Sequence, residues 1–148
     1  MHARAPIRLV SRDLPICQYG YTLTLPMKDA PTAKPLYWVG SAKKDLMALP
    51  GIVIDVFGYA FYLAQIGRKH EQAKPLKGFG SAGVLEVVED RGGNTYRAVY
   101  TLRLVGKVFV LHVFQKKSRR GIATPKSELS LIRERLKKAE QIAGELGS

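Results

Sequence analysis

The sequence predicts an α+β fold, in which a small antiparallel sheet follows an N-terminal helical hairpin and precedes a C-terminal helix. Two observations predict it. Apolar residues recur at helical spacing in two separate regions, and three segments with strand patterning and turn signals lie between them. The length of 148 residues suits one domain with a modest core, and the 46% hydrophobic content argues against disorder of the whole chain.

The chain divides into an extension, residues 1–33, and a folded domain, residues 34–148. Four prolines interrupt the extension and exclude a long helix there, although residues 19–25 have the composition of a strand. We expect the extension to be poorly ordered, as chain termini often are. An ordered arm that covers a partner or a site is the alternative.

The domain begins with a short strand, residues 35–39, and the helical hairpin. Ser41 is a suitable N-cap for a helix over residues 42–49, and Pro50 suits the start of a second helix that ends near Gly67. The apolar face of this second helix consists of Val53, Val56, Phe57, Ala60 and Ala64.

Three strands and a helix complete the domain. The strands are predicted over residues 84–89, 95–104 and 107–114. In the second strand Arg97 shares a face with Val99 and Thr101, and the opposite face consists of Tyr96, Ala98, Tyr100, Leu102 and Leu104. The third strand is apolar on both faces and should be central, with Phe109, Leu111 and Val113 on one face and Val108, Val110 and His112 on the other.

The predicted C-terminal helix has Thr124 as its N-cap and Pro125 as its first residue. Its apolar stripe consists of Leu129, Ile132, Leu136, Ala139 and Ala143.

Charge is the strongest compositional signal. Lys and Arg total 24 and Asp and Glu total 12, so the net charge is +12, and residues 34–148 carry +10 of it. Such a chain attracts polyanions: RNA, DNA, anionic lipid or an acidic protein. Two clusters flank the predicted sheet and favour a phosphate site, although a solvated surface is the alternative for each. The clusters are Arg68, Lys69, Lys74 and Lys77, and Lys116, Lys117, Arg119, Arg120 and Lys126.

Other classes are disfavoured. Cys17 is the single cysteine, so no internal disulfide can form, and the three histidines are far apart in sequence, so we expect no metal site and no cofactor. No apolar run is long enough for a transmembrane helix and no export signal is recognisable, so we expect a cytoplasmic protein and no membrane partner.

Three segments in order, LKGFG, YRAVY and FQKKS…TPK, resemble the HigB-like, phage-derived branch of the RelE/ParE type II toxin–antitoxin superfamily. The resemblance covers about residues 34–143. It implies a RelE-like fold and a ribosome-dependent mRNA endonuclease, an mRNA interferase that inhibits translation. It also implies silencing by a cognate antitoxin, often a helix-turn-helix protein.

The expected chemistry is metal-free cleavage that starts at the ribose 2′-hydroxyl and needs groups to move protons and to stabilise a phosphorane. Arg97 resembles the arginine of the family's YR-x-x-Y motif, although a structural role is the alternative. Lys116 and Lys117 resemble the family's basic residues at the sheet edge, and we expect one of them to stabilise the phosphate. His112 is either an acid–base group or a hydrogen-bonded core residue. Glu86 either orients Arg97, acts as a base, or forms a surface ion pair.

RNA contacts are expected from the two basic clusters. Lys74 and Lys77 resemble the family's substrate-facing loop, and Lys126 lies beside a predicted helix N-terminus, where backbone N–H groups favour anions. Arg119 and Arg120 extend the second cluster.

Two other functions stay open. YR-x-x-Y also occurs in ParE-type gyrase inhibitors, which are not nucleases. RelE carries basic residues in the strand where this chain has Glu86, Glu89 and Asp90. The fold alone does not decide the target. The alternatives are a non-enzymatic gyrase inhibitor and a non-toxic, nucleic-acid-binding phage accessory protein.

Overall fold

The computed structural model describes residues 32–80, 83–104, 106–116 and 124–147. Within these ranges a five-stranded sheet has two helices on one face and one long helix on the other. The predicted α+β fold class, with its helical hairpin and C-terminal helix, is confirmed. The predicted strand at residues 19–25 lies outside the described residues.

The two N-terminal helices are α1, Ala42–Met47, and α2, Gly51–Gln65. Ser41 precedes α1 but makes no side-chain capping bond, contrary to the prediction. Its hydroxyl instead donates to Asp45 Oδ2 at 2.7 Å. Both helices cover the sheet with a core that includes Leu46, Phe57 and Phe61.

The sheet has five strands, β1 Leu36–Trp38, β2 Ala73–Pro75, β3 Val84–Arg91, β4 Asn94–Leu104 and β5 Lys107–Lys116. Their order in the sheet is β1-β5-β4-β3-β2. Neighbouring strands are antiparallel, except that β1 runs parallel to β5. β5 is therefore an interior strand, as its two apolar faces predict.

A β-bulge in β5 changes the predicted sides of its residues. Tyr100 pairs with Val110 and Val99 pairs with His112, so Leu111 is an extra residue between the two pairs. Beyond the bulge the alternation is inverted: Val113 joins the core under the N-terminal helices, and His112 lies on the other face with Leu111. The predicted faces of Val113 and His112 were therefore wrong.

Helix α3, Lys126–Gly147, covers that other face. Its buried residues are Ile132, Leu136, Ala139 and Ala143, and Leu129 packs against them, so the predicted apolar stripe is confirmed. The helix begins at Lys126, and the carbonyl of Pro125 accepts from the N–H of Leu129 at 3.0 Å. The start is thus one residue later than predicted, a difference within the usual uncertainty of helix ends.

Candidate active site

Four predicted site residues lie on the sheet face that α3 covers. Residues directly opposite each other in a sheet share a face. Glu86 on β3 pairs with Val99, and His112 on β5 pairs with the same residue, which lies on the same face of β4 as Arg97. Lys116, at the end of β5, pairs with Thr95, the residue that precedes Arg97 on this face. The sheet register therefore brings these side chains to one region beside the start of α3.

A buried ion pair forms the centre of this region. Arg97 Nη1 donates to Glu86 Oε1 at 2.8 Å and to Glu86 Oε2 at 2.9 Å. The two side chains are only 10% and 6% exposed. Arg97 Nη1 also lies 3.3 Å from the hydroxyl of Thr124, which immediately precedes α3. Glu86 therefore fixes the guanidinium on the sheet, and Thr124 connects it to the start of the helix.

Lys116 is buried although it is a lysine at the end of a strand. It is 3% exposed, and its Nζ has no hydrogen-bond partner among the residues that the structure describes. Burial lowers the pKa of Lys116, and the positive charge of Arg97 lowers it further, while the charge of Glu86 opposes both. The site thus holds an amino group whose pKa is lowered and which lies in the electrostatic field of a guanidinium.

His112 belongs to a hydrogen-bond network that ties α3 to the sheet. Its Nε2 lies 2.6 Å from Glu128 Oε2, and its Nδ1 lies 3.2 Å from Arg135 Nη1. Since a guanidinium only donates, Nδ1 must accept and Nε2 must carry the proton. Burial lowers the pKa of His112, against the raising effect of Glu128. The arrangement holds a neutral imidazole with both nitrogens engaged.

Arg135 was not predicted from the sequence. It donates to the carbonyl of Leu111 and to the hydroxyl of Ser41, each at 3.0 Å. Its guanidinium crosses the backbone at Gly40, where a Cβ would lie 2.8 Å from Arg135 Nε. The seven-residue spacing from Glu128 places both residues on one face of α3, and this was the available sequence signal.

The predicted RNA-binding residues that the structure describes are exposed. Lys74 is opposite Glu86 in the register between β2 and β3, Lys77 lies in the loop after β2, and Lys126 begins α3. Phe79, in the same loop as Lys77, is a buried core residue that has Arg133 over its ring at 5.2 Å. The remaining predicted residues, Lys117, Arg119 and Arg120, lie outside the described residues.

Comparison with protein families decides the broad identity. Residues 44–137 match the family model described as Phage derived protein Gp49-like (DUF891). The chain belongs to this family. Gp49-like proteins form a RelE/HigB-like toxin family related to the toxins of toxin–antitoxin systems. Comparisons with curated proteins and with solved structures gave no match.

The matched range of this Gp49-like protein includes both basic clusters and the whole region around Arg97. Two cationic groups, Arg97 and Lys116, lie close enough for the first to lower the pKa of the second. The start of α3 adds the partial positive charge of a helix N-terminus. These features suit an anionic ligand such as a phosphate.

Among the residues that the structure describes, no group of three or more His, Cys, Asp and Glu side chains is arranged to hold a metal ion. None of the helices in the described ranges is both long and apolar enough to cross a membrane.

Proposed function

We propose that this Gp49-like protein is the toxin of a type II toxin–antitoxin system and a ribosome-dependent endoribonuclease. The observation that carries the proposal is the placement of two cationic side chains, Lys116 and Arg97, on one sheet face beside the start of α3, where Glu86 fixes the guanidinium. Lys116 is buried, and its Nζ has no hydrogen-bond partner among the described residues, an arrangement that costs stability. Such a cost is typical of functional sites, because residues with shifted pKa values are concentrated where side chains exchange protons.

The proposed reaction is an in-line displacement at an mRNA phosphate. Lys116, in its neutral form, takes the proton of the ribose 2′-hydroxyl, and the oxygen attacks the adjacent phosphorus. The Arg97 guanidinium stabilises the negative charge of the phosphorane, with Lys117 as a second cation. The bond to the 5′-oxygen breaks, and that oxygen receives a proton from the protonated lysine or from water. The products are a 2′,3′-cyclic phosphate and a 5′-hydroxyl.

In this proposal Glu86 and His112 are positioning residues. Glu86 occupies Arg97 Nη1 with both carboxylate oxygens and so directs the guanidinium. His112 has Glu128 on one ring nitrogen and Arg135 on the other, which supports a role in holding α3 against the sheet. Neither ring nitrogen is available for a substrate proton without loss of a hydrogen bond.

The exposed lysines are proposed to hold the mRNA on the ribosome. Lys74, Lys77 and Lys126 would contact phosphates, and Arg119 and Arg120 would extend this surface. A cognate antitoxin, of the helix-turn-helix type, would silence the toxin in the cytoplasm.

Induced expression in bacteria tests the proposal. The wild-type chain should arrest translation rapidly and leave transcripts cut within codons, whereas Arg97→Ala and Lys117→Ala should leave growth and transcripts intact. Lys137→Ala, on an exposed part of α3, is the matched control and should stay toxic. Toxicity with intact mRNA would contradict RNA cleavage. DNA damage signalling with translation initially intact would favour the gyrase inhibitor, and absence of toxicity would favour the accessory protein.

A further inference from the structure

The outer face of α2 is unusual for a helix that covers a sheet. Its 15 residues include one charged residue, Asp55. A helix with one face in the core normally has polar and charged residues on the opposite face, and a helix that is apolar all round is normally buried. α2 buries Val53, Phe57 and Phe61 against the sheet, yet its other side is also apolar.

The outer apolar residues form a continuous stripe. At 100° per residue, four positions of α2 and its C-cap fall within one arc, about 80° wide, on the side away from the fully buried residues. We call this set the α2 stripe; it consists of Ile52, Val56, Tyr59, Leu63 and Ile66. Val56, Leu63 and Ile66 are half-buried, and Val56, which the sequence places on the core face, also packs against the core. Ile52 is 51% and Tyr59 43% exposed, and Met47, at the end of α1, is 53% exposed. The stripe is about 21 Å long at 1.5 Å per residue, which is the length of a four-turn helix.

The charges around the α2 stripe indicate the chemistry of what covers it. The exposed charged side chains on the flanking segments are Lys44, Arg68, Lys69 and Glu71, so basic residues predominate. They lie at the two ends of α2 rather than along its length. Basic residues at two separate ends fit a partner helix that has acidic residues at each of its ends. A lipid surface, by contrast, would present negative charge along the whole length of α2.

We propose that the α2 stripe docks an amphipathic helix of a protein partner, with an apolar row for the stripe and Asp or Glu residues for the basic ends. A second copy of this chain fits less well, because each copy carries a net charge of +12 and would oppose like charges. The chain's own residues 1–31 are also basic, with a net charge of +2. Assigning the helix to an antitoxin rests on the proposed function, whereas the docking surface does not.

A binding assay tests the surface without RNA or ribosomes. The probe is a fluorescent, 20-residue acidic peptide with leucines at helical spacing, and its control has the same composition in scrambled order. Binding to the full chain is measured by anisotropy at about 0.3 M salt, which screens non-specific charge attraction. The helical probe should bind and the scrambled peptide should not. Equal binding of both peptides, or of neither, would overturn the proposal.

Two variants of the chain locate the probe. Ile52→Asp should weaken binding about tenfold or more, because it places a charge at the most exposed apolar side chain of the α2 stripe. Leu146→Asp is the matched control, since Leu146 is 47% exposed but lies near the end of α3, and it should leave binding unchanged. Equal effects of the two substitutions, or no effect of Ile52→Asp, would contradict docking on α2.

A photo-crosslinker identifies the occupant. With p-benzoylphenylalanine in place of Tyr59, mass spectrometry should find crosslinks to the helical peptide. Crosslinks to residues 1–31 or to a second copy, undiminished by excess peptide, would assign the stripe to those segments and overturn the proposal. Binding of the chain to anionic vesicles that is lost on Ile52→Asp would assign it to lipid instead. Loss of RNA cleavage, by contrast, would bear only on the proposed function.

Discussion

Neutralising Glu86 tests the buried ion pair at the centre of the candidate site. Glu86→Gln removes the negative charge that pairs with Arg97, whose side chain is only 10% exposed. Breaking a buried pair in this way costs about 3–5 kcal/mol. The amide oxygen of Gln still accepts one hydrogen bond, worth about 1 kcal/mol. We therefore expect the free energy of unfolding to fall by about 3 kcal/mol.

Urea unfolding of purified protein measures this change, and two further variants interpret it. Glu140→Gln, at an exposed position of α3, should change stability by less than about 0.5 kcal/mol. The double variant Glu86→Leu with Arg97→Met should be close to the wild type, since apolar residues of similar size can replace a buried pair at little cost. The reasoning would be refuted if Glu86→Gln lowered the free energy of unfolding by less than about 1 kcal/mol. It would also be refuted if the loss in the double variant equalled the sum of the losses of its two single substitutions.

Three other substitutions have expected outcomes. Lys116→Met should raise the free energy of unfolding by about 1 kcal/mol while abolishing RNA cleavage, because it removes a buried polar group that has no hydrogen-bond partner among the described residues; a loss of stability in urea would contradict the assignment. The pKa of His112 is lowered from 6.5, so its contribution to stability is complete above about pH 6.5 and is lost as the pH falls towards the lowered pKa. The free energy of unfolding, measured at several pH values, should therefore fall less steeply on acidification for His112→Gln than for the wild type. An equally steep fall in both proteins would contradict the lowered pKa of His112. Burial raises the pKa of Tyr100 to about 12, and its buried hydroxyl has no hydrogen-bond partner among the described residues. Tyr100→Phe should therefore raise stability by about 1 kcal/mol and remove an ionisation near pH 12 from an ultraviolet titration; a destabilised variant would reveal a partner for the hydroxyl.

The sequence predicted the fold well where local periodicity decides it. The alternation in β4 placed Arg97 and Tyr100 on opposite faces because the strand is regular there. β2 was missed, since its three residues, Ala73–Pro75, have no strand signal of their own and pair through the backbone of β3. The bulge at Leu111 was also missed, because an extra residue in an apolar strand leaves no mark in its composition.

For the candidate site, the sequence identified residues but not their contacts. Glu86 and Arg97 were named together, but only the register of β3 and β4 shows that they meet. The burial of Lys116 was not predictable, since a lysine is rarely fully buried unless paired. Arg135 was missed because its contacts with Ser41 and Leu111 are long-range and depend on how α3 crosses the sheet.

Cleavage by purified components tests the central claim most directly. Ribosomes programmed with a defined mRNA are incubated with wild-type protein or with Lys116→Met, and the new RNA ends are analysed by mass spectrometry. The account predicts 2′,3′-cyclic phosphate and 5′-hydroxyl ends with the wild type and intact mRNA with the folded variant. Intact mRNA with the wild type, ends of the opposite polarity, or equal cleavage by Lys116→Met would contradict it.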